Sequence, residues 1–315
     1  MLLSLLLAVA IAALRLRDLF AVVMLFGIYS LLTALFFMDL DAVDVAFTEA
    51  AVGAGVSTIL LLAALRLVGR YEKPHRHNPL LPLVVVCATG AALIYGLSDA
   101  PRFGDANAPA QTHVAPRYLS EGPAETGLPN VVTAVLASYR GFDTLGETVV
   151  VFTAGLAVLL LLGMSSPSPI PDFGSEDDQR MQRHAAKGLI PFILLYALYV
   201  QFHGDFGAGG GFQAGVIFAA GLVLYDLVLG HLHTRQVIQD GLLIRLGALG
   251  VLIYGCVGLY SLLSGQPYLD YSALAKDPVH GQHLGILLVE MGVGLTVFSI
   301  ITLIYYAFSA RRVKA

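Results

Sequence analysis

Arg140, Asp143 and Glu147 are spaced i, i+3 and i+7 in the stretch SYRGFDTLGETVVVF (138–152), so on a helix they share one face. A carboxylate with a guanidinium one turn away keeps its charge where water is scarce, because the partner offsets desolvation. Such a group is either a static ion pair that fixes a helix at an interface or a relay for protons or small cations, and residue types alone leave both open. Two more acids stand in apolar surroundings. Glu49 (TEAAVGAG, 48–55) and Glu290 (VEMGVGLT, 289–296) are each followed within two turns by Gly-x-Gly. An ionisable residue inside a lipid-embedded helix is costly, so each is a candidate for ion handling. Asp226, near the inner end of an apolar segment, reads instead as a snorkelling structural acid.

The string FHGDFGAGGGFQAG (202–215) invites a phosphate-loop reading, but such a loop follows a β-strand and carries Lys-Ser/Thr after its glycines. Here an apolar segment precedes and Phe212-Gln213 follows, so nucleotide binding is not expected. Glycine permits positive φ and close backbone approach. Gly207, Gly209, Gly210 and Gly211 are therefore expected to form a tight structural turn, re-entrant or interfacial, lined by His203, Asp205 and Gln213. His203 also shares a helical face with Tyr196 and Tyr199, and is a further relay candidate. Histidines two apart do not converge on a helix, which argues against metal binding by His75/His77 and His231/His233. His280-x-x-His283 has usable spacing but only Asp277 nearby, so no metal site and no cofactor are expected.

The elements that must hold these groups are set by composition. The chain has 315 residues, 57% hydrophobic and 13% charged, with a mean hydropathy of +0.76. A soluble domain is about 25% charged, so lipid is the expected outer solvent, and an all-α polytopic membrane protein follows. Nine spans are expected, near 1–14, 19–38, 43–67, 80–97, 143–163, 187–203, 211–230, 241–264 and 282–308. With the N-terminus outside and the C-terminus cytoplasmic, the inner segments hold thirteen basic residues, while the outer ones hold Arg102, Arg117, Arg140 and Lys276. Arg15 and Arg17 follow the first apolar run rather than precede it, unlike a signal peptide. Cys87 and Cys256 lie far apart in apolar sequence and suggest neither a disulfide nor a thiolate site. No soluble catalytic domain and no nucleic-acid partner are expected.

Three stretches carry a family resemblance. DVAFTEAAVGAGVSTILLLAAL (44–65) resembles the MbhD-like module of membrane-bound hydrogenase and Mrp antiporter systems. NVVTAVLASYRGFDTLGETVVVFTAGLAVLLLL (130–162) resembles the MbhE-like module, with its Arg-Gly-Phe-Asp-Thr-Leu-Gly-Glu run. FHGDFGAGGGFQAGVIFAAGLVLY with HLGILLVEMGVGLTVFSIITLIYYAF (283–308) resembles the MnhB-like module, the B-type component of these antiporters. It departs from the usual Gly-His-x-x-Pro-Gly-Gly-Gly-Phe pattern at Phe202–Asp205 and Ala208. The resemblance implies modules at 1–78 (MbhD-like, three helices), 79–166 (MbhE-like, with an outer loop at 98–129) and 185–315 (MnhB-like, four helices), with a cytoplasmic linker at 167–184.

It further implies a subunit of a Mrp-type monovalent cation (Na⁺)/proton antiporter in the bacterial cytoplasmic membrane. Such a subunit stands beside the large antiporter-like and other small membrane subunits and is not itself an enzyme. Glu49, Arg140, Asp143 and Glu147 would form its relay, with Glu290 and His203 as further members. The complex I relative with an irregular third span makes the TEAAVGAG glycines a place to expect a π-bulge. The rival readings are an ion-translocating subunit of a hydrogenase-like respiratory complex and a purely structural scaffold.

Overall fold

The computed structural model describes residues 1–73, 80–163 and 176–309, the last with side chains from residue 180. His75, His77, residues 167–175 of the expected linker and the basic tail 311–315 lie outside the described residues. Among the described residues the only strand-like contact is an isolated bridge between Asp18 and Tyr71.

Helix α1 (Leu2–Arg15) packs on α2 (Leu19–Asp39), and α3 (Val43–Glu49), a π-helical segment π1 (Ala50–Val56) and α4 (Ser57–Val68) follow as one apolar rod of 26 residues. Next come α5 (Leu80–Leu97), α6 (Pro109–Thr112) and α7 (Ala115–Ser120), then α8 (Gly122–Thr126), α9 (Val131–Ala134), a second π segment π2 (Val135–Tyr139) and α10 (Gly141–Leu162). The last part holds α11 (Glu176–His203), α12 (Gly211–Leu229), α13 (His231–Val237), α14 (Asp240–Leu263), a 3₁₀ turn at Tyr271–Leu274 and α15 (Pro278–Ser309). Among the described residues, eight helices are long and apolar enough to cross a membrane. The ninth apolar segment, α1, has 14 residues, about 21 Å at 1.5 Å per residue, against a hydrocarbon core of about 30 Å.

The chain forms two compact units, one of residues 1–71 and 122–315 and a smaller one of 72–121. In the smaller unit α5 buries none of its residues, and α6 packs on α7. In the larger unit α15 is the central post, packed against α12, α14, α10 and α4. Helices α12 and α15 run parallel and in register. Gly211 meets Glu290, Gly215 meets Gly294, and Asp226 meets Tyr305, each pair 79 residues apart. Backbone contact makes the α14–α15 seam close: a Cβ on Gly250 would lie 2.3 Å from the Gly292 carbonyl oxygen. At one end of the first helices, the Asp18 side chain caps α2 by accepting from Phe20 N–H at 3.1 Å and pairs with Arg70 at 2.7 Å, tying α2 to the end of α4. That guanidinium holds the Asp18 carboxyl below its usual value.

Candidate functional site

The glycine string forms the turn between α11 and α12. Phe206 and Gly207 N–H groups donate to the His203 carbonyl, and Gly210 N–H returns to the Val200 carbonyl at 3.0 Å. Gly210 has φ +115°, a conformation other residues adopt only under strain, and Gly211 is the first residue of α12. The loop carbonyls are held from outside. Asn130 Nδ2 donates to Gly204 O at 3.0 Å and Gly207 O at 2.8 Å, and Thr133 Oγ1 donates to Gly204 O at 2.6 Å. Asp205 is pinned by His283 Nε2 at 2.9 Å.

With its carbonyls so occupied, the loop turns N–H groups towards acids. Gly211 N–H donates to Glu290 Oε2 at 3.1 Å, and Gly209 N–H donates to Asp44 Oδ1 at 3.3 Å. The first turn of a helix carries free N–H groups and the positive end of its dipole, so a carboxylate is favoured there. Gly211 has no room for a side chain, since a Cβ would meet the Glu290 carbonyl oxygen at 2.0 Å.

These groups border a cavity of about 270 Å³ whose lining brings Asp44 and Thr48 of α3, Glu147, Thr144 and Thr148 of α10, Gln213 of α12 and Glu290 of α15 together. Three carboxylates thus converge from three spans, with hydroxyls and an amide between them. Gln213 Nε2 donates to Thr48 Oγ1 at 2.8 Å. Glu147 is exposed and stands at the open side of the cavity, while Asp44 and Glu290 are half-buried at its inner wall. With three carboxylates set in a largely apolar lining and a helix N-terminus beside them, the arrangement can hold protons or hard monovalent cations in exchange for one another.

The other candidates fall elsewhere. Glu49 folds over Gly53, whose face is also crowded by Ser30 of α2, so it points to the α2 contact rather than into the cavity. Arg140 and Asp143 pair at 2.7 Å, with 59% and 52% of their side chains exposed, and neither lines the cavity. His203 stacks on Tyr199 with centroids 4.8 Å apart and borders a separate groove with Leu31, Phe47 and Tyr196. Among the described residues no group of three or more His, Cys, Asp or Glu could hold a metal. The sequence reading passed over Asp44 and Asn130 and weighed His283 only as a metal ligand. The available signal for the first was Asp44 and Thr48 at i, i+4, which share a face of α3.

Residues 181–303 match the family described as a domain related to the MnhB subunit of Na⁺/H⁺ antiporter, while residues 4–70 match MbhD and residues 80–171 match MbhE, both described as subunits of MBH. The chain is 31% identical over 125 residues to the B-type component of a Na⁺/H⁺ antiporter of Alkalihalophilus pseudofirmus, covering 86% of that protein and 36% of this chain. The chain belongs to the MnhB-related family of antiporter subunits. In this MnhB-family chain, MbhD and MbhE modules precede the MnhB part.

A relative in Rhizobium meliloti, described as the combined A/B component of a probable K⁺/H⁺ antiporter, is 26% identical over 94% of the chain and 32% of the relative. The MnhB-family chain therefore spans about a third of that relative's length. Among solved structures, a chain of the Mrp complex from a Dietzia species superposes with a TM-score of 0.78 at 27% identity, covering 100% of this chain and 35% of that one. A chain of the membrane-bound sulfane sulfur reductase, an archaeal respiratory membrane complex, superposes with a TM-score of 0.54 at 26% identity, over 71% of this chain and 96% of that one.

Proposed function

We propose that this chain is a subunit of a multisubunit monovalent cation/proton antiporter of the bacterial cytoplasmic membrane, and that its own share of the ion path is the cavity between Asp44, Glu147 and Glu290. The observation that carries the reading is the convergence of those carboxylates on the glycine turn. Asp44 and Glu290 hold the inner wall against α12's free N–H groups. A cation entering there replaces a proton on a carboxylate, and Thr48, Thr144, Thr148 and Gln213 supply neutral oxygens as it moves. Glu147, on the exposed side of α10, faces the large antiporter-like subunit and hands the ion across. The Arg140–Asp143 pair fixes the head of α10. Full-length superposition on a Mrp chain supports this reading over a redox-driven complex, whose chain matches less of this one and less closely.

The experiment is Glu290→Gln in the assembled complex, with cation-dependent proton exchange followed in everted vesicles. Exchange is expected to fall at least tenfold with assembly unchanged, and Asp44→Asn is expected to weaken it less. Normal exchange in assembled Glu290→Gln would reduce the cavity to static scaffolding.

A further inference from the structure

A second polar cluster lies far from the cavity, at the other end of the same two helices. Asp226 is the last acid of α12 and is 0% exposed, so it does not snorkel as its position near the helix end suggested. The reason is α13, which the Gly230 turn folds back over the end of α12, carrying His231 (2% exposed) onto the carboxylate. His231 Nδ1 forms a close ion-pair contact with Asp226 Oδ2, and Tyr305 Oη of α15 donates to the same oxygen at 2.9 Å. Both donors crowd one side of the carboxylate. Asp226 Oδ1, both ring nitrogens of His231 and Tyr306 Oη are buried with no hydrogen-bond partner among the described residues, the Nδ1–Oδ2 contact being an ion pair by distance alone.

Buried polar atoms are nearly always paired, and several unpaired atoms in one place mark a ligand, ordered water or a redox or proton function. Here they lie along one chain of atoms, from Asp226 Oδ1 through the Oδ2–Nδ1 ion-pair contact to His231 Nε2. We infer that the Asp226–His231–Tyr305 cluster is a proton-binding site, distinct from the carboxylate cavity, that takes up and releases a single proton through its imidazole end.

The step balances on the pair. With Nδ1–H against an ionised Asp226 the pair carries one negative charge. A proton arriving at Nε2 lets the Nδ1 proton pass to Oδ2, leaving a neutral imidazole and a neutral acid, and release reverses the order. Tyr305 keeps its bond in both states, which holds the carboxyl in line. The ligand is a proton rather than a metal ion because the neighbourhood already contains a cation. Arg235 of α13 lies over the Tyr306 ring at 4.8 Å and near Asp240 of α14 at 3.5 Å, and Arg66 of α4 also faces Tyr305. Arg235 and Asp240 offset one another, so the charge of the cluster turns on the Asp226–His231 proton.

Tyr305 lies fifteen positions beyond Glu290 on α15, and Asp226 fifteen beyond Gly211 on α12, about 22 Å along either helix. The excess of basic residues in the loops assigns this end to the cytoplasm. Between the two sites α12 and α15 meet at Gly215, which faces the Gly294 carbonyl and Val297, and the buried hydroxyls of Thr296, Ser299 and Thr302 lie on α15 over the same stretch.

The test uses the assembled complex and infrared difference spectra between about pH 5.5 and about pH 8. The wild type is expected to give a carboxyl band and imidazole bands that Asp226→Asn and His231→Gln both remove, while Tyr305→Phe shifts the carboxyl band without removing it. Glu290→Gln is expected to leave these bands in place, so this site and the cavity stand or fall separately. Wild-type spectra that match those of an assembled Asp226→Asn complex would overturn the assignment. Should that variant fail to assemble, ¹⁵N-histidine spectra of the wild type against His231→Gln decide. A His231 signal that changes protonation state across the range supports the site, and one that keeps a single tautomer throughout overturns it.

Discussion

At the residue scale, the head of α10 depends on hydroxyls that meet carbonyls released by π2. A π turn misaligns the ordinary i to i−4 ladder, and the loose acceptors need other donors. Thr144 Oγ1 donates to Leu136 O at 2.7 Å, Tyr271 Oη to Ala137 O at 2.9 Å and Tyr254 Oη to Gly141 O at 2.7 Å. Both tyrosines are fully buried, and burial pushes the Tyr271 hydroxyl well above its usual value, so it donates as a neutral group at any physiological pH. Tyr271→Phe strands a buried carbonyl, and a loss of about 1–3 kcal/mol is expected, read as a lower melting temperature of the purified complex. An unchanged melting temperature would mean another donor replaces it. Asp18 gives a pH-dependent counterpart. Its folded value is depressed by Arg70, so its contribution is present above the unfolded value of about 3.9 and is lost as pH falls through the folded value. Asp18→Asn should flatten the acid limb of stability below about pH 4 and leave its shape at neutral pH alone; an unaltered acid limb would show the pair to be idle. Glu147 and Glu290 were legible as acids in apolar sequence. Asp44 was not, because an acid in a helix's first turn looks like ordinary dipole compensation. The period of the helix then separates it from Glu49: five residues at about 100° each put the two acids roughly 140° apart, so one cavity cannot take both.

At the element scale, hydropathy located the spans because twenty-odd apolar residues have few other uses. The π segments divided by cause. The resemblance to a complex I subunit with an irregular third span suggested π1 in TEAAVGAG, and it occupies Ala50–Val56, whereas π2 at Val135–Tyr139 has ordinary residues and is held by long-range tyrosine contacts that no local pattern records. The glycine turn was equally readable as a turn, but the acids it faces come from helices 79 and 165 residues away. Helix contact supplies the sharpest test. Gly250 touches the Gly292 carbonyl and Thr296 of α15, while Gly255, five residues on in the same helix, has open space around its missing side chain. Gly250→Ala must push α14 from α15 and should lower stability and yield of assembled complex. Gly255→Ala should be neutral or gain up to about 1 kcal/mol from helix propensity. Equal melting temperatures for the two variants would contradict the close α14–α15 seam.

At the scale of the whole molecule, the disposition of charge sets which end of each helix meets which compartment. Thirteen of eighteen basic residues fall in the segments assigned to the inside, and lysines and arginines near short loops resist translocation. On that basis we propose that the α12–α14 connection, with Gln236, is cytoplasmic and the α14–α15 connection, with Gln266, external; both side chains are exposed. Orientation matters to both sites, because the glycine turn lies at the N-terminal end of α12 beside the middle of α15, and the Asp226 cluster lies near the C-terminal ends of both helices. In that proposed orientation ions reach the cavity from outside and protons reach the cluster from inside, so the chain presents a separate acid–base site to each compartment. Cysteine labelling decides the matter. Cys87 and Cys256 are both exposed free thiols and must first be replaced by serine. In that background, cysteine at position 266 is expected to react with a membrane-impermeant maleimide on intact spheroplasts, and cysteine at position 236 only after permeabilisation or in everted vesicles. The reverse pattern would exchange the compartments of the two sites.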